Sequence, residues 1–145
     1  MKIGIANDHG GVEVKNEILK HLVLKGYSVK NYGTDTDDSV DYPVYAYKVG
    51  NAIKENEIDV GILICKSGIG MSIAANKVKG VRCAKVETVE DATVTREHNH
   101  SNVLALSART DIDTLKKIVD AFITTQYSEE ERHVRRVQML DNYDN

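Results

Sequence analysis

The chain reads as an α/β protein whose parallel sheet is covered by helices on both faces, and three observations carry that reading. Short β-branched runs alternate with helix-length amphipathic segments from one end to the other. The run Val60-Gly61-Ile62-Leu63-Ile64 is apolar throughout, as a buried strand requires. Small-residue turns follow the first and third runs, at Asn7-Asp8-His9-Gly10-Gly11 and Cys65-Lys66-Ser67-Gly68-Ile69-Gly70, where a strand would hand over to a helix.

Taken in order, Lys2–Ala6 is a strand led by Ile3 and Ile5, and Asp8 stands where it can cap the helix expected over Val12–Lys25. Tyr27–Tyr32 is the second strand. The polar stretch Gly33–Asp41 is the longest loop, closed by Asp41-Tyr42-Pro43, and a helix follows over Val44–Asn56. Strand Val60–Cys65 leads through its turn into a helix at Met71–Val78; strand Val81–Val86 leads into Val89–Glu97, and strand Val103–Leu106 into Thr114–Tyr127. In Glu129–Leu140, apolar Val134, Val137 and Leu140 stand at helical spacing among Arg132, His133, Arg135 and Arg136. No strand remains for this helix to cross over to, so it packs on the outside or on a partner subunit. Residues 1–145 show no repeat, low-complexity tract or linker and read as a single domain.

The formal net charge of −3 gives no global attraction to nucleic acid or acidic membranes, so any anion site must be local. The N-terminus passes directly into a strand, and no apolar run approaches a membrane span, which makes a cytoplasmic protein the expectation. Without an export signal, Cys65 and Cys83 are expected as reduced thiols.

The Cys65 turn is the most informative stretch. A buried strand ends in a thiol, and the turn aims backbone N–H groups and the positive end of a helix dipole at whatever sits beside it. An anion suits that place, and the same field favours a thiolate fit for base or nucleophile chemistry. In such folds ligands bind at the C-terminal ends of the strands. Asp8, His9, the Cys65 turn, Glu87, Arg96-Glu97-His98-Asn99-His100 around the start of the fifth strand, and Arg109 after it together offer acid, imidazole, thiol, amide and guanidinium.

Each has a plainer reading. Cysteines at strand ends are commonly small buried hydrophobes, which is the reading for Cys83. Asp8-His9 alone would be a turn and a cap. His98 and His100 diverge on a helix and face opposite sides of a strand, which argues against a metal site built on both. Arg132 and Arg136 share a helical face that could grip a phosphate or simply meet solvent. A dinucleotide fingerprint fails, because Ile73 fills the place that needs a third small residue after Gly68 and Gly70, and the first loop lacks a P-loop ending.

Asn7-Asp8-His9-Gly10-Gly11, Ser39-Val40-Asp41-Tyr42-Pro43, Gly61–Lys77 with its Ser-Ile-Ala-Ala-Asn-Lys run, Arg96-Glu97-His98-Asn99, Asn102–Leu106 and Arg132–Arg136 together resemble the ribose-5-phosphate isomerase type B family, in order and over nearly the whole chain. That family includes allose-6-phosphate and galactose-6-phosphate isomerases. The resemblance implies a Rossmann-like three-layer α/β/α sandwich with a five-stranded parallel sheet. It also implies a homodimer, or a tetramer built from it, whose active sites draw residues from two chains, and no cofactor, metal, nucleic acid or membrane.

By motif, the resemblance makes Cys65 the catalytic base, since Met71 stands where another branch of the family has Glu. Ser67 assists proton movement between two substrate oxygens, and the N–H groups from Lys66 through Gly68, Ile69 and Gly70 form an anion hole. His98, from the neighbouring subunit, opens the furanose ring with Asn99 beside it. Asp8 orients sugar hydroxyls, Tyr42 lines the pocket, and His9, Arg109, Arg132 and Arg136 contact phosphate. The implied reaction interconverts ribose 5-phosphate and ribulose 5-phosphate through an enediolate. The alternatives are an isomerase of a six-carbon sugar phosphate and a non-catalytic phosphosugar-binding module. Lys66 and Glu130-Glu131 replace glycines of the family pattern. That added bulk at both ends of the pocket favours a five-carbon substrate.

Overall fold

The computed structural model describes residues 1–144. Five strands, β1 (Lys2–Asn7), β2 (Ser28–Asn31), β3 (Val60–Cys65), β4 (Cys83–Lys85) and β5 (Val103–Ser107), form one parallel sheet in the order β2-β1-β3-β5-β4. The helices are α1 (Val12–Leu24), α2 (Tyr42–Lys54), α3 (Ile69–Ala75), α4 (Val89–Asn99), α5 (Ile112–Thr124) and α6 (Glu131–Asp141), with a 3₁₀ turn at His9–Gly11 before α1. No helix among the described residues is long and apolar enough to cross a membrane.

Strand periodicity divides the core in two. Ile3, Ile5, Ile62, Ile64, Leu104 and Leu106 pack with Ile18 and Leu22 of α1, Ala92 of α4, and Leu115, Ile118, Val119 and Phe122 of α5. The alternate residues Ala6, Leu63, Cys65, Val103 and Ala105 pack with Ala46, Val49 and Ala52 of α2 and Met71, Ala74 and Ala75 of α3. Three layers result, with Cys65 on the α2–α3 face. β3 keeps its expected bounds because all six of its residues are buried.

Other boundaries shift for local reasons. α2 begins at Tyr42, because Pro43 is compatible with a first helical turn. α3 starts two residues before Met71, since Gly68 takes the left-handed conformation that launches it. β4 is confined to three residues at the sheet edge. α4 runs two residues past Glu97 and so carries His98 and Asn99 in its last turn; His100, at φ 49°, ends it. α6 lies against α4 of its own chain.

Candidate active site

The sheet reverses its direction of winding between β1 and β3, and in such sheets a crevice opens there at the C-terminal edge. Asn7 stands beside Ile64 in the register, and the Asp8 N–H donates to the Ile64 carbonyl at 3.2 Å, which brings the first turn against the Cys65 turn. Asp8 accepts the Gly10 N–H at 2.9 Å, so the expected cap exists, on the short 3₁₀ turn.

Cys65 is 6% exposed, and its Sγ accepts the Gly68 N–H at 3.1 Å. The Ile69 N–H donates to Ser67 Oγ at 3.2 Å. Two of the turn's N–H groups are therefore directed at its own side chains. Gly68 has φ 78°, and a Cβ there would stand 3.0 Å from the Leu106 carbonyl, so the turn requires glycine on both conformational and steric grounds. A Cβ on Gly70 would meet the Tyr42 ring at 2.7 Å, which shows how closely Tyr42 covers the start of α3.

Neighbouring segments fix this turn. The Ala108 N–H donates to the Cys65 carbonyl at 2.9 Å, and the Ser107 hydroxyl donates to the Lys66 carbonyl at 2.8 Å. Ser107 also accepts the Arg109 N–H at 3.2 Å, which places Arg109 at the same edge. Arg109, Ser67, Ile69, Ser107, Lys85 and Glu87 line a cavity of about 400 Å³ there.

The long loop is anchored at both ends. His9 Nδ1 accepts the Val40 N–H at 3.1 Å, so a neutral His9 carries its proton on Nε2. Lys15, fully buried on α1, donates to the Thr34 carbonyl at 3.1 Å and pairs with Asp35; hydrogen bonds from Lys15 and Asn31 hold the Asp35 carboxyl below its ordinary range. Asn7 Nδ2 donates to the carbonyls of Thr34 and Asp8 at 3.0 and 2.8 Å.

His98, Asn99, Arg132 and Arg136 lie elsewhere. α4 returns from the C-terminal edge, so its last turn lies at the start of β5. Five residues of β5 rising about 3.3 Å each put roughly 15 Å between that turn and Ser107. His98 stacks on His133 of α6, ring centroids 4.3 Å apart. His133 is 5% exposed, and burial, reinforced by neighbouring His98 and Arg132, pushes its imidazole below its ordinary value. His100 turns the other way, stacking on Tyr127 at 4.5 Å, with its Nε2 2.9 Å from the Ser128 carbonyl. Arg96 Nη1 donates to the Ser101 carbonyl and Tyr127 Oη at 2.6 and 3.0 Å, with its guanidinium over the Phe122 and Tyr127 rings. Among the described residues no group of three His, Cys, Asp or Glu is disposed to hold a metal ion.

The residues gathered from the sequence thus divide between two ends of one sheet. Asp8, His9, Tyr42, Lys66, Arg109 and the Cys65 turn share one end; His98, Asn99, Arg132 and Arg136 share the other. Sequence reasoning passed over Ser107 and Lys15, and named His133 only as part of the Arg132–Arg136 run, with no role of its own. Ser107 had a positional signal, standing at the end of a strand; Lys15 had none.

Residues 3–140 match the family model described as Ribose/Galactose Isomerase. The chain belongs to that family. It is 43% identical to ribose-5-phosphate isomerase B of Escherichia coli K12, over 96% of this chain and 93% of that one. Ribose-5-phosphate isomerase B of Clostridium thermocellum superposes with a TM-score of 0.95 at 44% identity, covering 97% of this chain and 95% of that one. The Mycoplasma genitalium enzyme, solved with bound ribulose-5-phosphate, superposes with a TM-score of 0.93 at 41% identity, covering 98% and 95%.

Proposed function

We propose that this protein is an aldose–ketose isomerase of the cytoplasm that interconverts ribose 5-phosphate and ribulose 5-phosphate, with Cys65 as the base. The observation that carries the reading is the Cys65 turn, where a thiol on a fixed strand end faces a glycine-rich loop at the crevice between β1 and β3.

In this mechanism the Cys65 thiolate removes the proton from C2 of the open-chain aldose, leaving an enediolate. Ser67 passes a proton between the O1 and O2 oxygens, and the Cys65 thiol returns its proton to C1. Remaining N–H groups of the turn hold the negative charge, an arrangement that elsewhere supplies a few kcal/mol. Asp8 positions sugar hydroxyls, and Tyr42 closes one wall. His98 protonates the ring oxygen to open the furanose, with Asn99 beside it, while His9, Arg109, Arg132 and Arg136 hold the phosphate.

The roughly 15 Å between the ends of β5 supports a site built from two chains. In this reading a second copy brings His98, Asn99, Arg132 and Arg136 to the Cys65 turn of the first. α2 and α3 present exposed Val44, Tyr47, Ile69 and Ile73 beside that turn as a surface for it.

Added bulk bears on substrate size through Lys66 and Glu130, since Glu131 turns away to Arg135 at 2.6 Å. Glu130 has φ −58°, so the lost glycine leaves no backbone strain. Parallel assays of ribose 5-phosphate, allose 6-phosphate and galactose 6-phosphate test the assignment. The expected preference for the pentose in kcat/KM is about tenfold or more, or about 1.4 kcal/mol. Faster turnover of a hexose phosphate overturns the substrate, and failure of solvent deuterium to enter C2 of the aldose overturns the isomerase.

A further inference from the structure

Arg132 is engaged before any substrate arrives. Its Nε donates to Glu130 Oε2 at 3.0 Å, and the same oxygen lies 3.9 Å from His133 Nδ1, a buried nitrogen with no hydrogen-bond partner. Glu130 occupies the capping position of α6, yet its carboxylate makes no bond to the helix's N–H groups. The neighbouring acid behaves differently. Glu131 forks onto Arg135 with contacts of 2.6 and 2.7 Å, one turn along. Of two adjacent carboxylates, only Glu130 is bonded to an arginine of the assigned phosphate grip.

We propose that Glu130 is an internal competitor for the phosphate of the substrate, occupying Arg132 in the free protein and yielding it when the sugar phosphate binds. This rests on the reading of Arg132 as a phosphate ligand. The physical case is one of exchange. A phosphate carrying nearly two charges and three oxygens outbids a carboxylate for a guanidinium fork, but it must displace the resident anion and then sit near it. Both side chains of the resident pair are more than half exposed, 58% for Arg132 and 60% for Glu130, so the pair is weak enough to exchange and modest in effect. Glu130 thereby sets affinity and favours dianions over singly charged ligands.

The test uses inorganic phosphate as a competitive inhibitor, alongside the KM for ribose 5-phosphate. Glu130→Gln keeps the size of the side chain and removes its charge; the inhibition constant and KM should both fall about two- to fivefold. Glu131→Gln should leave both where they were. In an Arg132→Gln background, Glu130→Gln should lose its effect, because the cycle isolates the contact. If Glu130→Gln leaves phosphate inhibition unchanged or weakens it while Arg132→Gln does weaken it, the competition is overturned and the phosphate grip stands. Equal shifts from Glu130→Gln and Glu131→Gln would reduce the effect to general charge and overturn it as well. If Arg132→Gln does not alter phosphate inhibition, the phosphate role of Arg132 fails first, and the competition with it.

Discussion

At the C-terminal edge of the sheet, Asp8, Cys65 and Ser107 are each at most 9% exposed, and backbone groups of neighbouring segments bond to them or to their own peptides. At the opposite end, His98, Asn99, Arg132 and Arg136 are exposed on helix surfaces. Ring stacking fixes His98 there, and an ion pair fixes Arg132. The first region is rigid because strands and a left-handed glycine dictate where its side chains point. The second is adjustable, since long side chains on helix ends can re-pair at little cost. A reaction that needs a proton moved between fixed atoms and a phosphate captured from solvent can use one region of each kind.

That contrast breaks most sharply at the thiol. Cys65→Ala should lower kcat by about 10²–10⁴-fold while calorimetry finds substrate binding nearly unchanged, because the phosphate is assigned to other side chains, those of His9, Arg109, Arg132 and Arg136. Near-normal turnover in the variant would remove the thiol from the mechanism. The division into two half-sites is sharpened by mixing. Cys65→Ala and His98→Ala, each inactive alone, should regain about half the wild-type activity per heterodimer after co-refolding, since one of two sites is then intact. Verified heterodimers without activity would count against a shared site.

Gly68→Ala probes rigidity at the first region. A Cβ at φ 78°, placed 3.0 Å from the Leu106 carbonyl, should cost about 1–2 kcal/mol or more in chemical denaturation. It should also lower activity by shifting the N–H that faces Cys65 Sγ. Unaltered stability would mean that the turn relaxes freely.

The smallest effect is expected from His133. Burial lowers its pKa from the ordinary 6.5, so beneath that pH the unfolded chain takes up a proton that the folded one resists. Stability from this group is therefore complete above about pH 6.5 and declines as pH falls below it. Denaturation midpoints at about pH 7.5 and about pH 5.5 should separate more for the wild type than for His133→Asn. Equal separation would show that His133 titrates alike in both states.

The two regions also differ in how far the sequence disclosed them. β3 and the Cys65 turn could be read directly, because an unbroken apolar run followed by small residues has few structural outcomes. Tyr42 was assigned to the pocket by motif, and the structure sets its ring over Gly70 at the start of α3. His98 and Asn99 were collected with Cys65 in one set, yet α4 runs back from the C-terminal edge and carries them in its last turn to the far edge. The stack of His98 on His133 depends on how α4 and α6 cross, and no spacing within either helix encodes that. Lys15 escaped notice for a related reason: helical periodicity shows which face turns inward but not how deep a lysine lies or which loop carbonyl receives it.

The roughly 15 Å between the ends of β5 also has a consequence for dilution. On the proposed reading of a shared site, the single polypeptide has no working form. Its specific activity should then fall as the protein is diluted through the dissociation constant of the pair, and recover on concentration without any change in substrate. The concentration of the protein becomes a term in its own rate law.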